Sequence, residues 1–256
     1  MMLKKALVVY MNHTKLTLRI VCSVLSKKGI KYSLVTRRKL HPNHIKNKDI
    51  IVTVGGDGTF LRAAHYVKET PVLAVSPDIN KHDGFFARAD KKNFENVIDR
   101  IITDRNKFIL LTRLYAKIDN KNIEYSLNEI YVGSRKAYIM SKYTLKIGGN
   151  SEFQKSSGLL IGTAAGSNAW IKAAHGKKLP LTSDRYQLVV REPFPGKFLK
   201  YSLLNKVLTK KNHIKIVSHM KHGIVVADSV SRPYVFKSNS VLEVGISKYP
   251  MRLVSI

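Results

Sequence analysis

Three short apolar runs punctuate the first hundred residues: Ala6 to Met11 (ALVVYM), Ile50 to Val54 (IIVTV) and Pro71 to Val75 (PVLAV). Their apolar character is continuous rather than alternating, as in strands covered on both faces, so they read as strands of a parallel sheet. Between them the sequence supplies the crossovers. Thr14 to about Lys28 reads as a helix with Leu16, Leu18, Val21, Cys22, Val24 and Leu25 turned inward, and Gly29 stops it. Tyr32 to Thr36 reads as a further strand. A helix running to about Val67 follows a glycine turn, and another spans about Asn93 to Thr103. This βαβαβ order predicts a parallel α/β domain with right-handed crossovers.

From about Phe108 the texture changes. Phe108–Ile118, Ile123–Val132, Tyr138–Ile147 and Phe153–Thr163 are rich in Ile, Leu, Tyr and Thr, and Asp-Asn, Gly-Ser and Gly-Gly-Asn turns separate them. They read as antiparallel strands. Further strands are expected at Tyr186–Arg191, His213–His219, Ile224–Ala227, Val241–Val244 and Met251–Val254. The fold class is therefore α/β plus all-β: a Rossmann-like N-terminal domain and a β-rich C-terminal one, which 256 residues can accommodate.

Charge narrows the partners without choosing one. Lys and Arg number 45 against 17 Asp and Glu, a formal net charge of +28, while a hydrophobic fraction of 44% argues against disorder. So basic a chain favours polyanions: nucleotides, polyphosphate, nucleic acid or anionic membrane. Yet 32 of the basic residues are Lys, and there are 15 Asn, a bias that AT-rich coding DNA produces unselected. Dibasic pairs such as Lys27-Lys28 and Lys177-Lys178, and the run Arg37-Arg38-Lys39, are dispersed and read mostly as solvated faces. Cys22 is the only cysteine, which excludes an internal disulfide framework and suits a reducing compartment. No apolar run approaches the ~18 residues that span a bilayer. The expectation is a cytoplasmic protein that needs no membrane. The nine histidines show no His-x-x-x-His or His-Glu spacing, so a metal site of that kind is not expected, and no residue is assigned to a metal.

The strongest local signal is Gly55-Gly56-Asp57-Gly58-Thr59, directly after one apolar strand and directly before a helical segment. Glycines at a strand-to-helix turn let the backbone approach a bulky anion, and the free N–H groups of a helix start favour phosphate. The spacing is neither the lysine-bearing P-loop nor the GxGxxG fingerprint. A carboxylate beside phosphates needs a purpose, such as taking a proton from a hydroxyl or holding Mg²⁺. The competing reading is a tight turn in which Asp57 caps the helix.

GGDGTFLRAA is similar to the glycine-rich signature of the NAD kinase family, whose superfamily includes diacylglycerol, sphingosine and 6-phosphofructo-kinases. Asn128-Glu129 in SLNEIYVG resembles that family's Asn-Glu pair. SSGLLIGTAAGSNAW at 156–170 resembles its second glycine-rich motif, commonly DGLIVSTPTGSTAY. Departures include Ser157-Gly158 for Asp-Gly, Ala169-Trp170 for Ala-Tyr, and SPDINKHDGFF for the usual GINxGxLGFL. The Ser-Ser-Gly and Ala-Trp variants resemble the divergent mitochondrial-type, NADH kinase-like branch.

The resemblance implies a kinase that transfers a phosphoryl group from ATP, another nucleoside triphosphate or polyphosphate to the adenosine 2′-hydroxyl of NAD or NADH, with Mg²⁺ or another divalent cation. It casts Asp57 as the catalytic carboxylate and Gly55, Gly56, Gly58 and Thr59 as phosphate holders. Asn128 and Glu129 would bind ribose and base edges, and Thr163, Gly166, Ser167 and Ala169 would line the nucleotide pocket. Trp170 is open to two readings, a base-stacking ring or ordinary core. Asp228, in VVADS, resembles the family's late aspartate or serves as a turn residue. Domains are expected at 1–107, with about 238–256 returning to it, and at 108–237, in a homodimer or homotetramer. Two other readings stand beside this one: a lipid or sphingoid-base kinase of the same superfamily, and a non-catalytic binder of nucleic acid or another polyanion.

Overall fold

The computed structural model describes residues 3–77, 84–197 and 200–255. The chain divides into two compact units, Met1–Leu110 with Pro250–Ile256, and Leu111–Tyr249.

In the first unit the apolar runs lie side by side. Strands β1 (Lys5–Tyr10), β2 (Lys31–Thr36), β3 (Ile50–Val54) and β4 (Val72–Ser76) are parallel in the order β2-β1-β3-β4. The short β5 (Ala89–Asp90) also pairs with β4, and the sheet continues through β19 (Met251–Ser255) to β6 (Lys107–Leu111). β3 and β4 are buried along their whole length, as continuous apolar runs require. The sheet is covered by helices α1 (Lys15–Lys27), α3 (Asp57–Ala64) and α4 (Phe94–Ile102), with a single turn, α2 (Pro42–Ile45), before β3. Phe94, Val97, Ile98 and Ile101 form the buried stripe of α4 at helical spacing.

Two expectations for these helices need correction. On α1 the buried residues are Thr17, Val21, Val24 and Leu25, whereas Leu16 is 63% exposed and Cys22 only half-buried. Positions 17, 21, 24 and 25 share one face, and Leu16 is turned about 100° away from Thr17. The helix after the glycine turn ends at Ala64 rather than Val67, where the Tyr66 N–H takes the Ala63 carbonyl in a tightened last turn.

The second unit is a sandwich of two six-stranded sheets. One runs β11 (Asn150–Ser156), β10 (Ser141–Ile147), β15 (Ile214–Ser218), β18 (Val241–Ile246), β7 (Leu114–Ile118) and β8 (Lys121–Asn122). The other runs β14 (Asn205–Leu208), β13 (Tyr186–Val190), β12 (Leu159–Thr163), β9 (Glu129–Ser134), β16 (Gly223–Ala227) and β17 (Tyr234–Val235). Inner-face residues of both, among them Tyr143, Leu145, Ile216 and Val244 against Ile130, Val132, Leu159 and Ile161, make one core. The second sheet is apolar on its outer face too. There Leu160 and Val189 pack with Ile171 of α5 (Trp170–Ala173), which explains why β12 reads as a continuous apolar run.

Three expected strands are cut differently. Phe108–Ile118 is two strands, interrupted at Thr112-Arg113. Ile123–Val132 becomes a strand only from Glu129. Phe153–Thr163 is two strands in different sheets, because the chain turns at Gly158, whose φ of +103° and whose Cβ position 2.6 Å from the Val132 carbonyl oxygen both demand glycine. Among the described residues no helix is long and apolar enough to cross a membrane.

Candidate functional site

The strand order β2-β1-β3-β4 reverses direction between β1 and β3, and in open parallel sheets ligands bind beyond the carboxyl ends of the strands at such a point. Gly55 to Thr59 sits there, at the end of β3 and the start of α3. A Cβ on Gly55 would lie 2.5 Å from Thr59 Oγ1 and 3.5 Å from Met11 Cγ, just past β1, so only glycine lets the turn close this tightly. Thr59 is buried against Gly55, and its N–H donates to the Gly56 carbonyl at 2.8 Å. Gly56 has open space where a side chain would stand.

Asp57 is the first residue of α3, where the helix dipole favours a negative charge. Its carboxylate is clamped from outside the helix: Oδ2 accepts from the Phe85 N–H and Oδ1 from the Phe86 N–H, each at 3.1 Å. Phe86 is anchored in turn by its stack on Phe60 of α3, with ring centroids 4.6 Å apart and both rings buried. The bonds that hold this carboxylate thus come from residues 85 and 86 rather than from the first turn of α3, whose N-cap position is Gly56. Each oxygen keeps a further lone pair for a hydroxyl proton. Of the divergent segment SPDINKHDGFF, residues 78–83 lie outside the described residues.

Around the loop the charge is positive. The Arg37 guanidinium lies 3.0 Å from the Cβ position of Gly58. Burial, then the neighbouring Arg62 and Arg38, hold Arg37 below the usual arginine value. Arg62 stands one turn beyond Gly58 on α3. Arg88 feels the Asp57 charge, which partly offsets its own burial. Among the described residues no carboxylate pairs with Arg37 or Arg62, and like charges crowded in this way favour the arrival of an anion that shares them. Arg37 was legible only as part of a dispersed basic run. Its place at the end of a parallel strand was the available signal.

In the second unit, Asn128, Glu129, Thr163, Gly166, Ser167 and Ala169 come together at the ends of β9 and β12. Thr163 and Ser167 spend their hydroxyls within the loop. Thr163 Oγ1 donates to the Leu127 carbonyl at 2.5 Å and accepts from the Ala165 and Gly166 N–H groups, while Ser167 Oγ donates to the Ala164 carbonyl at 2.6 Å and accepts from the Leu179 N–H at 3.0 Å. A Cβ on Gly166 would collide with the Asn128 carbonyl, backbone against backbone. The Ala169 N–H closes the turn onto the Gly166 carbonyl at 2.9 Å. Trp170 stacks on Tyr131 at 5.3 Å and lies under the Arg191 guanidinium, so its ring is engaged in packing.

Asn128 and Glu129 differ from these scaffolding residues. Both are buried, yet Asn128 Oδ1 and Glu129 Oε2 have no hydrogen-bond partner. Burial, and secondarily the Asp228 charge, push the Glu129 carboxyl up to about 8, although the Trp170 N–H that donates to it pulls the other way. Two unpaired buried oxygens on adjacent residues cost free energy unless a ligand supplies donors, and ribose hydroxyls or a base amino group would do so. Among the described residues no group of three His, Cys, Asp or Glu side chains could hold a metal ion alone.

The family model of the ATP-NAD kinase N-terminal domain matches residues 5–106. A probable NADH kinase of Oryza sativa subsp. japonica is 28% identical over 254 residues, covering 90% of this chain and 78% of that one. An NAD kinase of Acetivibrio thermocellus is 30% identical over 224 residues, covering 84% and 74%. Among solved structures, an NAD kinase from Archaeoglobus fulgidus in complex with ATP superimposes with a TM-score of 0.78 at 24% identity, covering 97% of this chain and 92% of that chain. Yeast NADH kinase complexed with NADH superimposes with a TM-score of 0.82 at 18% identity, covering 100% and 84%. At these identities the two structures establish the fold.

Proposed function

This chain belongs to the NAD kinase family, and from that premise we propose that it transfers the terminal phosphoryl group of ATP, or of another polyphosphate donor, to the adenosine 2′-hydroxyl of NAD or NADH. The observation that carries the dinucleotide half of this reading is the pair of unpartnered buried oxygens, Asn128 Oδ1 and Glu129 Oε2. They are acceptors shaped for hydroxyl and amino donors. The phosphoryl half rests on Gly55–Thr59, where glycine turn, helix start and arginines favour the same charge.

In this reading Asp57 accepts the proton of the 2′-hydroxyl as its oxygen forms a bond to the terminal phosphorus and the bond to the leaving phosphate breaks. The Phe85 and Phe86 N–H groups fix the carboxylate's orientation, so little reorganisation is needed at the moment of transfer. General-base help of this kind contributes roughly 10²–10⁴-fold. Arg37 and Arg62 neutralise charge on the donor. The residues present fit Mg²⁺ as a cation carried on the donor phosphates with at most Asp57 from the protein, a usual arrangement for this ion. When bound it draws charge off the leaving group.

The experiment is turnover by the full chain with Mg²⁺ and ATP or polyphosphate, assayed separately against NAD, NADH and diacylglycerol. Formation of NADP or NADPH is expected, and Asp57→Asn should keep the fold while losing nearly all of it. No turnover of either dinucleotide, or an Asn variant as active as the wild type, would overturn this reading.

A further inference from the structure

Asp228, singled out in the sequence, has no part in the proposed reaction. It follows β16 and is 2% exposed. Its φ is +53°, in the left-handed region that Asp adopts in turns more readily than most residues. Around it lies the segment that leads into β9. Oδ1 accepts from Ser126 Oγ at 2.5 Å, from the Asn128 N–H at 2.7 Å and from the Glu129 N–H at 3.2 Å, while Oδ2 accepts from the Leu127 N–H at 2.8 Å. The Asp228 N–H returns a bond to the Glu129 carbonyl at 2.9 Å.

Three consecutive backbone N–H groups thus converge on one carboxylate a hundred residues away in the chain. Ser126 is bridged to Leu114 and regular pairing through β9 begins only at Glu129, so between these two points the N–H groups of Leu127 and Asn128 are aligned by the Asp228 carboxylate rather than by a strand ladder. The same backbone carries the acceptor loop, because the Asn128 carbonyl takes the Thr163 N–H at 2.9 Å and seats Gly166. We propose that Asp228 is a positioning residue for dinucleotide recognition: it sets the backbone from which Asn128 and Glu129 present their unpartnered oxygens, and touches no substrate itself. The inference rests on the reading of Asn128 and Glu129 given above.

The substitution Asp228→Asn is isosteric. Its oxygen can stay on the side of Ser126, Asn128 and Glu129, but its NH2 group then faces the Leu127 N–H, donor against donor. Losing a charge-assisted bond here should raise KM for NAD or NADH by about ten- to a hundredfold. KM for ATP should stay within about twofold and kcat at saturating dinucleotide within about threefold, since Asp228 acts on binding geometry alone. A milder variant, Ser126→Ala, removes one donor and should raise the same KM by about two- to fivefold with folding intact. It decides the matter if the Asn variant does not fold. A merely structural role would instead lower the active fraction and leave both KM values unchanged, and that result, or a dinucleotide KM unaltered in both variants, would overturn the proposal. Wild-type protein that binds neither NAD nor NADH in equilibrium titration would overturn the reading of the pair, and this inference with it.

Discussion

Replacing Glu129 by Gln separates two consequences of burying one carboxyl. In the folded chain this group is 4% exposed and its pKa is raised from 4.5 to about 8, chiefly by burial and next by Asp228. Between those values the folded protein holds a proton that the unfolded chain has released, so stability is fully present below about pH 4.5 and is lost as pH rises toward 8. The slope is about 1.4 kcal/mol per pH unit, and the loss across the whole window is on the order of 5 kcal/mol. Gln keeps an acceptor for the Trp170 N–H and cannot ionise. Relative to the variant, the wild type should therefore weaken steadily from pH 5 to 8, by roughly 3 kcal/mol at pH 7. The single tryptophan lies beside the group, so urea unfolding followed by Trp170 fluorescence at several pH values is a direct assay. Ligand binding reads the second consequence: above about pH 8 the wild type gains a carboxylate that can accept two ribose hydroxyls where the amide cannot, so the variant should bind NAD more weakly there and about equally well at about pH 6. Parallel stability curves for the two proteins over this range would refute the reasoning, since they would mean that Glu129 is already ionised in the fold.

Two further perturbations test the rest of the site. Gly166→Ala must push its Cβ against the Asn128 carbonyl, so it should cost about 1–3 kcal/mol in stability and lower NAD affinity, measured by unfolding and by equilibrium titration; an Ala variant indistinguishable from wild type would contradict the close approach. Arg37→Ala should raise KM for the phosphoryl donor by about tenfold or more and leave KM for NAD unchanged, with Arg37→Lys intermediate because it keeps the charge without the fork; steady-state kinetics varying each substrate distinguishes this from a general loss.

Much of the fold was legible because local pattern and tertiary environment agree. Ile50–Val54 is continuously apolar because β3 is covered on both faces, and GGDGT is a turn because a Cβ at Gly55 has nowhere to go. Pattern failed where a chain changes sheets without losing its apolar character. Residues 153–163 read as one strand, yet they serve two sheets of a sandwich, and the break is marked by the positive φ of Gly158 and its crowding against Val132. Asn205–Leu208, too polar to register as a strand, is recruited by pairing with β13. On α1 the apolar list was too generous, since Leu16 lies off the stripe that the helical period defines.

At the candidate site the division follows distance along the chain. Residue types and spacing picked out the glycine turn with its aspartate, and the likeness of consecutive residues to NAD kinase motifs singled out the Asn-Glu pair and the second glycine motif, because each motif is a local stretch of chain. Roles within those motifs depended on contacts with distant segments. Thr163 and Ser167 turn their hydroxyls into the loop, while Asn128 and Glu129 each keep one oxygen, Oδ1 and Oε2, unpaired; Asp57 is oriented by N–H groups from residues 85 and 86, and Asp228 gathers three N–H groups from residues 127 to 129. A hydrogen bond across a hundred residues leaves no periodic trace in sequence, since its partners are chosen by the sheet register that brings β16 alongside β9.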